Sequence, residues 1–596
     1  MIKELAEFGK RVRDGHDALK LEPINIDLII NEDGSFNRFV PIDSTPKPAE
    51  AINAKKGKAR LLLDKAEEVL NFISNRELEN AAGSHEVAKK KVASKHKLFI
   101  DKLKIYEELT ILKPVFLFYN ENKVNGIEKA RDNFNQQVTE NLRAGNIAFR
   151  VGNKRLHEQT IVYDTIIEYF EKKQSDSKNN KRCSICGSSD FPVVDEPQGY
   201  IKNVPDGMSG KNVLVSFDKI AFESYGLKGN DNSSICTNCA KNYVEGLNWL
   251  LAHGYIKGVS KHTNRRNFGK DTAMVYWTRE EADLTSLNWL DEPDEGMVTN
   301  LLNSVSSGDY RKIGSITTNQ FYSLTLSGAA ARIAIRDWIQ ISLEEYYKNI
   351  AKWFNHVKIK RYNKDFKELR VYYPSLYSLA RSCYKKESND DSGLSRVAKH
   401  LWNSALKGNK PPLCILAMVL KRIAHNETTS DGKSINAMTS ERAALIRLIL
   451  NLNKKGDSAM LKDELDLTDT TQSVLCGRLF ALIEGMQRAA LGNEINAGVR
   501  ERSFSSASTS PSSAFGRLLR QMQNHLTKLK QDKPGLAFVL DKEVQELCAK
   551  INSFPATLTL EEQGQFALGY YHQKHYNFNR AKQNKEFQSL TDNMEE

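Results

Sequence analysis

The sequences CSICG at residues 183–187 and CTNC at residues 236–239 constrain how the middle of the chain folds. A Cys-x-x-Cys turn aims two thiolates at one metal ion, and two such turns complete a tetrahedral Zn²⁺ site. Gly187 can adopt the positive φ that such a turn often requires. The 49 residues between the two pairs are more than a compact zinc ribbon contains, so we expect the turns to clamp the ends of an inserted segment.

The predicted zinc site is structural, because four thiolates close the coordination shell and a catalytic zinc needs an open position. Its ligands are Cys183, Cys186, Cys236 and Cys239. Unmetallated core cysteines and two redox-active Cys-x-x-Cys centres are the alternatives, but paired motifs rarely arise without a metal. The other cysteines lie in apolar helical contexts and are predicted to be buried thiols of a reducing cytoplasm. They are Cys383, Cys414, Cys476 and Cys548.

The composition is that of a large protein with several packed cores. Its 596 residues correspond to about three or four units of the usual size, and 40% of them are hydrophobic. No apolar run approaches the roughly 18 residues that span a bilayer. The N-terminal sequence MIKELAEFGKRVRDGHD is charged and amphipathic, unlike a signal peptide. We therefore expect a cytoplasmic protein that is not attached to a membrane.

Positive charge is concentrated in three segments of a chain whose formal net charge is +12. Basic residues beside amides and an aromatic ring suit contacts to phosphates and bases. Each segment by itself is equally typical of a solvated surface, but the three together favour a polyanion, most simply nucleic acid. The segments are Lys55, Lys56, Lys58 and Arg60; Lys89, Lys90, Lys91, Lys95 and Lys97; and Lys261, Arg265, Arg266 and Lys270 interleaved with His262, Asn264, Asn267 and Phe268.

Helix and strand signals are mixed in the first 374 residues. Apolar spacing predicts a helix over residues 59–72, and residues 171–182 contain no apolar side chain and predict a linker. A helix over 243–251 and a basic loop over 252–270 follow the second cysteine pair. Strands are predicted over 272–278, 321–326 and 331–338, followed by a helix that Ser342 and Glu345 cap and that buries Ile350, Trp353 and Phe354.

From about residue 375 the strand signals stop and helical patterns continue to the C-terminus. Thr559 with Glu562 and Asp469 with Gln472 resemble capping boxes, and Ser510 precedes a first-turn proline. The predicted helices cover residues 376–387, 395–406, 411–424, 439–453, 469–491, 512–530, 541–552 and 560–575. The predicted architecture is an α+β body over 1–374, with a zinc segment inserted over 181–242, followed by an all-α helical bundle over 375–596.

No arrangement of catalytic residues stands out. The sequence from Asp431 to Ser434 resembles the end of a P-loop, but Glu427 occupies the position of the first glycine. His157 and Glu158 begin an HExxH-like string that lacks its second histidine, since residue 161 is isoleucine. A nucleophile, a base and an orienting group do not occur together. We therefore expect a protein that is not an enzyme.

Several irregular strings, in order along the chain, resemble one family, the large subunit of the subtype I-C CRISPR interference complex (Cascade). The resemblance spans about residue 55 to the C-terminus and differs from the family pattern in having a second Cys-x-x-Cys. The strings are YIKNVPDGMSGKNVLVSF at 200–217, AFESYG at 221–226, DTAMVYW at 271–277, FYSLTLSGAAARIAIRDW at 321–338, LCGRLFALIEGMQRAAL at 475–491 with residues 496–500, FSSASTSPSSAF at 504–515 and FALGYYHQKH at 566–575.

This resemblance implies a non-catalytic subunit that recognises the protospacer-adjacent motif in duplex DNA and supports R-loop formation. The implied partners are the CRISPR guide RNA, target double-stranded DNA, the Cascade backbone subunits, the subunit on the guide's 5′ handle and a separate helicase-nuclease. The C-terminal region, about residues 460–596, resembles a small subunit that lines the displaced strand. Genes of this family often start such a subunit internally, and Met460 is the preferred start here, ahead of Met486.

The residues expected to contact DNA lie in the basic segments and in the helical region over 375–596, which we call the helical tail. The segment over 261–270 is the best candidate for contacts near the protospacer-adjacent motif, and Lys58 and Arg60 are alternative candidates. The full set is Lys58, Arg60, Lys89, Lys90, Lys91, Lys261, Asn264, Arg265, Arg266, Asn267, Lys270, Arg500, Arg502, Arg517 and Arg520. A stand-alone zinc-containing nucleic-acid-binding protein and a nucleic-acid-processing enzyme with a dispersed active site are the alternatives.

Overall fold

The computed structural model describes most of the chain as two compact units. The first unit comprises Met1–Ile201 and Val213–Trp249, and the second comprises Lys202–Asn212 and Leu250–Glu596. The described residues are 1–592 except 14, 17, 53–58, 121, 176–181, 190–193, 195–197, 254–263, 310–318, 364, 367, 386–390, 426, 429–433, 436, 455–459 and 493–497. None of the helices in these ranges is long and apolar enough to cross a membrane.

The elements follow the predicted order of mixed structure and then helices. The strands are β1 (Leu19–Ile30), β2 (Phe36–Glu50), β3 (Leu63–Asp64), β4 (Ile147–Val151), β5 (Lys154–Arg155), β6 (Arg265–Phe268), β7 (Thr272–Thr278), β8 (Gln320–Ala329), β9 (Arg332–Ser342), β10 (Ile359–Asn363), β11 (Glu368–Tyr372), β12 (Glu427–Thr428) and β13 (Ser434–Ile435). The helices are α1 (Ile2–Val12), α2 (Ala66–Leu70), α3 (Asn75–Asn80), α4 (His85–Lys104), α5 (Lys113–Phe118), α6 (Gly126–Gln137), α7 (Thr160–Ser175), α8 (Thr237–His253), α9 (Glu295–Ser307), α10 (Leu343–Val357), α11 (Leu376–Ser382), α12 (Asp391–Lys407), α13 (Leu413–Ala424), α14 (Ser440–Asn453), α15 (Gln472–Leu491), α16 (Val499–Thr509), α17 (Pro511–Asp532), α18 (Pro534–Lys550) and α19 (Leu560–Asp592).

The first unit is built on a sheet of strand order β2-β1-β4-β3, with β5 paired to β4. Strand β1 pairs antiparallel with β2 and parallel with β4. Every second residue of β1 from Ile24 to Ile30 is buried, as the two-residue period of a strand requires. Helices α4, α5 and α6 cover the sheet with Phe99, Phe118 and Phe134, which form the core of this unit.

Helix α8, which begins beside the second cysteine pair, packs closely on α1. Gly9 and Gly246 allow this approach, because a Cβ on Gly9 would lie 1.8 Å from the carbonyl oxygen of Asn242 and a Cβ on Gly246 would lie 2.7 Å from that of Leu5. The contact fixes the start of α8, and with it the position of the second cysteine pair.

The second unit contains an antiparallel sheet of strand order β6-β7-β8-β9. Strands β7 to β9 include the three predicted strands, which the structure confirms. The Ser342 hydroxyl accepts a hydrogen bond from the N–H of Glu345 at 3.1 Å, so the predicted cap of α10 is confirmed as well. Helix α10 buries Ile350, Trp353 and Phe354 against this sheet and the helices that follow, as predicted.

The helical tail packs around α15 and α19. Two glycines bring these helices into contact, since a Cβ on Gly477 would lie 2.0 Å from the carbonyl oxygen of Phe566 and a Cβ on Gly569 would lie 2.4 Å from that of Val474. The predicted cap of α19 is confirmed, because Thr559 and Glu562 exchange hydrogen bonds between side chain and backbone N–H. The chain is therefore mixed α/β with a helical C-terminal half.

Several predicted boundaries are wrong for local reasons. Residues 59–72 form β3 and α2 rather than one helix, because Leu62 takes a positive φ of 62° and Leu63 pairs with Ala148. Helix α7 extends to Ser175 and so occupies the start of the predicted linker. In the predicted loop, α8 continues to His253 and residues 265–268 form strand β6.

Other elements were not predicted at all. The hairpin of β10 and β11 lies just before residue 375, and the short hairpin of β12 and β13 lies within the tail that was predicted to be purely helical. Helix α16 is rich in serine, a weak helix former, and begins where the Glu501 carboxylate accepts a hydrogen bond from the N–H of Gly498 at 2.8 Å. Helix α15 was predicted, but it begins at Gln472 after Thr471 rather than at residue 469. Asp469 is therefore not its N-cap, and the predicted capping box is wrong.

Candidate metal centre and nucleic-acid interface

The first cysteine turn has the geometry of a metal-binding knuckle. Its backbone closes through a hydrogen bond from the N–H of Gly187 to the carbonyl of Cys183 at 2.9 Å. Gly187 has a φ of +76°, which confirms the role predicted for this glycine. The N–H of Cys183 also donates to the carbonyl of Ser188 at 2.8 Å, so the turn is held on both sides.

The second turn is carried by the first residues of α8 and is tied directly to the first turn. The N–H of Cys236 donates to the Cys183 sulfur at 3.4 Å, and the N–H of Cys239 donates to the Cys236 sulfur at 3.4 Å. The N–H of Ser184 donates to the carbonyl of Ser234 at 2.7 Å and joins the two backbones. Hydrogen bonds from backbone N–H groups to sulfur favour the thiolate form that a metal requires.

The four sulfur atoms lie within 4.8 Å of one another. The sulfurs of Cys186 and Cys236 are 3.8 Å apart, which matches the edge of about 3.8 Å in a tetrahedron with Zn–S bonds of ~2.3 Å. Cys186 is exposed and the other three are buried. The hydrogen bond with Cys239 is the main cause that lowers the pKa of Cys236 to about 5, whereas the pKa of Cys239 is raised. The four cysteines could therefore bind a metal ion in a closed shell.

The remaining cysteines fit the predicted buried thiols only in part. Cys383 and Cys476 are buried, and burial raises the pKa of each thiol to about 12. Cys548 is half-buried and Cys414 is exposed, because its position on α13 faces outward. Within the described ranges, the cysteines of residues 183–239 are the only group of metal-ligating side chains close enough together to share an ion.

The basic residues of the first unit differ in how exposed their side chains are and in whether their charges are paired within the fold. Lys89, Lys90 and Lys91 are exposed on α4, and among the described residues only Lys91 has a hydrogen-bond partner, the carbonyl of Asn80 at 3.2 Å from Nζ. Arg60 is half-buried and forms an ion pair with Glu22 at 2.9 Å. Lys58 lies outside the described residues. Helix α4 therefore presents the more accessible positive surface of this unit.

The residues predicted to lie near the protospacer-adjacent motif are mostly held by the fold. Arg265 is buried and donates to the carbonyl of Leu251 at 2.8 Å. Arg266 forms an ion pair with Asp291 at 3.2 Å and donates to the Asn288 side chain at 2.6 Å. The Asn264 side chain donates to the carbonyl of Tyr276 at 2.9 Å.

Among the described members of the predicted set in this segment, two have exposed side chains. Asn267 accepts a hydrogen bond from Arg265 at its side-chain oxygen, and its side chain is exposed at the edge strand β6. Lys270 is exposed in the turn between β6 and β7. Lys261, the remaining member of the predicted set, lies outside the described residues. The end of β6 and the turn that follows it are therefore the part of the segment that can contact a ligand directly.

In the helical tail, Arg502, Arg517 and Arg520 are exposed, whereas Arg500 is buried. The Arg500 guanidinium donates to the carbonyl of Ile423 and lies over the ring of Phe504, with 4.3 Å between Cζ and the ring centroid. Two further arginines, Arg361 and Arg370, lie on the β10–β11 hairpin and are not among the residues predicted to contact DNA. Alternating basic residues on both sides of a short turn were the signal that could have found them.

A model of the CRISPR-associated protein family Cas_Csd1 matches residues 15–578, which is nearly the whole chain. The chain belongs to this family. No curated protein matches it. The match makes the chain a CRISPR-associated protein and extends across both compact units, so the Cys183–Cys239 cluster and the basic surfaces all lie within the matched Cas_Csd1 region.

Proposed function

We propose that this Cas_Csd1 protein is the large subunit of a subtype I-C Cascade complex, and that it recognises the protospacer-adjacent motif in duplex DNA. The family match over residues 15–578 is the observation that carries this proposal. The ordered strings from 200–217 to 566–575 favour the subtype, and the net charge of +12 suits a protein that binds nucleic acid.

In this proposal the guide RNA reads the target sequence by base pairing, and the subunit supplies motif recognition and contacts to the DNA backbone. Asn267 on β6 and Lys270 in the following turn would lie near the motif, and Lys89, Lys90 and Lys91 would bind flanking phosphates. The tail would line the displaced strand with Arg502, Arg517 and Arg520. In this proposal the complex acts in the cytoplasm and supports R-loop formation. The subunit itself is not an enzyme, so the complex recruits a separate helicase-nuclease.

The metal in this proposal is zinc, and its role is structural. Four thiols in two Cys-x-x-Cys turns are the donor set of a closed zinc site rather than a catalytic one. The sulfur separation of 3.8 Å between Cys186 and Cys236 suits that ion. Zinc would hold the start of α8 against the turn at Cys183 and so stabilise the segment between the two pairs.

The proposal is tested by expressing the chain with its neighbouring CRISPR genes, purifying the assembly and sequencing its nucleic acid. We expect a guide RNA with a repeat-derived 5′ handle, together with backbone subunits. A chain that purifies alone, or with a random mixture of nucleic acids, would contradict membership of a guide complex and favour a stand-alone binding protein. Metal-dependent cleavage by the isolated chain would instead favour an enzyme.

A second measurement tests the charge of α4. Replacing Lys89, Lys90 and Lys91 with glutamine should weaken DNA binding by a similar factor for every sequence and reduce the salt dependence of binding. The variant K3Q/K10Q/K20Q removes the same charge from exposed lysines of α1 and β1 and is the control. Equal salt slopes for the two variants would show that the α4 lysines are only a solvated surface.

A further inference from the structure

Two arginines lie directly opposite each other on the β10–β11 hairpin. Arg361 is the partner of Arg370 in the antiparallel register. The Cβ atoms of directly opposed residues are about 4.5–5.5 Å apart, and like charges at this separation destabilise the pair. A two-stranded hairpin is only marginally stable by itself. The repulsion between the two guanidinium groups is therefore a cost to the fold that an anionic ligand would remove.

Each guanidinium group is held flat by an aromatic ring. The Cζ atom of Arg361 lies 3.7 Å from the centroid of the Tyr372 ring, and that of Arg370 lies 3.6 Å from the centroid of the Phe366 ring. Stacking orients the planar fork of an arginine and leaves its N–H groups at the rim, where they suit the oxygens of a phosphate. Arg370 donates through Nε to Glu368 at 2.7 Å. Arg361 forms no ion pair with a carboxylate in the part of the chain that the structure describes.

The hairpin is attached firmly to the helical tail along the outer edge of β10. The N–H of Tyr362 donates to Nδ1 of His575 at 3.0 Å, and the N–H of Lys360 donates to the carbonyl of Asp463 at 2.9 Å. The Tyr571 hydroxyl donates to the carbonyl of Lys360 at 3.3 Å. Because side chains alternate along a strand, Lys360 and Tyr362 lie on the opposite face from Arg361. The arginine pair is thus presented by a fixed support, so little ordering is needed when a ligand binds.

The charge of the whole hairpin favours a polyanion over a single carboxylate. Residues 358–370, KIKRYNKDFKELR, contain six basic and two acidic residues. A nucleic-acid strand carries one negative charge about every 3.4 Å along the helix axis, so it can engage adjacent cations at once. We propose that the β10–β11 hairpin binds the phosphodiester backbone of a nucleic acid, with Arg361 and Arg370 as the residues that hold it. This inference rests on the proposed function, which requires the chain to bind DNA or RNA.

The test uses the full-length chain with the double substitution R361Q/R370Q. Binding of a fluorescent DNA duplex, a DNA single strand and an RNA single strand, each of random sequence, is measured over a series of salt concentrations. We expect affinity for at least one probe to fall about tenfold or more, and its log–log salt slope to fall by roughly 0.7–0.9 per lost phosphate contact. The probe whose affinity falls most identifies which nucleic acid binds to the hairpin.

The charge-matched control is K3Q/K10Q, which removes two exposed lysines of α1 that lie outside the proposed binding surfaces and should leave the salt slope nearly unchanged. If the wild-type chain binds none of the probes, the proposed function itself is contradicted. If the wild-type chain binds and R361Q/R370Q binds equally well with an equal slope, only the inference about the hairpin is overturned.

A second variant, R361K/R370K, separates charge from fold. It keeps both positive charges but loses the planar forks, so we expect an intermediate affinity and a salt slope like that of the wild type. A slope that falls as far as in R361Q/R370Q would show that altered folding, and not lost phosphate contacts, explains the effect, and this result would overturn the inference. Circular dichroism of each variant provides the accompanying check of the fold.

Discussion

Arg447 caps the C-terminus of α10 through His356. Its Nη1 atom lies 2.8 Å from the carbonyl oxygen of His356 and also donates to the carbonyls of Asn355 at 2.9 Å and Lys358 at 3.0 Å. The last carbonyls of a helix lack partners and carry partial negative charge. Burial lowers the pKa of Arg447 to about 10, so the guanidinium is still charged at neutral pH. A buried cation from α14 therefore satisfies the end of α10.

Replacing Arg447 with methionine should destabilise the second unit by about 3–5 kcal/mol, because several buried carbonyls lose their donor. Urea unfolding of the purified chain provides the measurement. The control R517M removes an exposed arginine of α17 and should change the free energy of unfolding by less than about 0.5 kcal/mol. Similar midpoints for the two variants would contradict the capping role of Arg447.

Replacing Cys236 with serine should remove the bound metal and lower stability without changing motif recognition directly. Elemental analysis of the wild-type chain, purified without chelator, should show zinc at one ion per chain. The control C414S changes an exposed cysteine outside the cluster and should keep full metal content. Metal-free wild-type protein that unfolds at the same urea concentration as the zinc-loaded protein would refute a stabilising metal.

Alanine substitutions in strand β6 and in the β6–β7 turn should separate folding from recognition. R266A loses the ion pair with Asp291 and should lower stability by about 1–3 kcal/mol while the preference between correct and mutated motifs is kept. N267A, which changes an exposed side chain, should reduce that preference by about 1–3 kcal/mol. Competition binding with duplexes of both kinds measures the difference. If N267A and K270A both keep the wild-type preference between correct and mutated motifs, the motif is recognised by other residues.

Acidification should destabilise the helical tail through His572. Its Nε2 atom is buried without a hydrogen-bond partner among the described residues, and burial, with Arg447 and His575 nearby, lowers its pKa to about 3. The unfolded chain, with a histidine pKa of about 6.5, binds more protons below that pH. Stability is therefore complete above pH ~6.5 and falls as the pH drops toward 3, by about 1.4 kcal/mol per pH unit for this group.

The variant H572F should lose less stability than the wild type between pH 7 and pH 5, by about 2 kcal/mol, because its side chain does not titrate. Urea unfolding at the two pH values gives this difference. H85Q, which changes an exposed histidine at the start of α4, is the matched control and should follow the wild type. An acid sensitivity of H572F equal to that of H85Q would assign the effect to other groups.

An internal translation start should yield a separate fragment of the helical tail. Met460 is exposed and precedes α15, so the fragment would contain α15 to α19 intact, whereas Met486 is buried within α15. Intact-mass measurement of the purified complex should reveal a species that begins at Met460. The variant M460L should remove it and leave the full-length chain unchanged, since the side chain is exposed. A fragment that persists in M460L would locate the start at another codon.

Local patterns predicted the cysteine turns and many elements correctly. The Cys-x-x-Cys spacing and Gly187 determine a turn over a few residues, and the caps at Ser342 and Thr559 depend on side chains three positions apart. The hairpin of β10 and β11 escaped notice because its strands pack against α19, more than 200 residues further along the chain. Leu62 likewise breaks a helical pattern only because β3 pairs with β4.

The sequence by itself determined which four cysteines could share a metal ion, the excess of positive charge and the succession from mixed structure to helices, because these follow from composition and short-range spacing. Only the tertiary structure decided which basic residues can reach a ligand. Arg265 and Arg500 are enclosed by the fold because their carbonyl partners, on Leu251 and Ile423, lie 14 and 77 residues away in the chain. A long cationic side chain is buried only where distant backbone oxygens accept hydrogen bonds from its donors. The spacing of residues along the sequence does not show which distant segments come into contact in the fold.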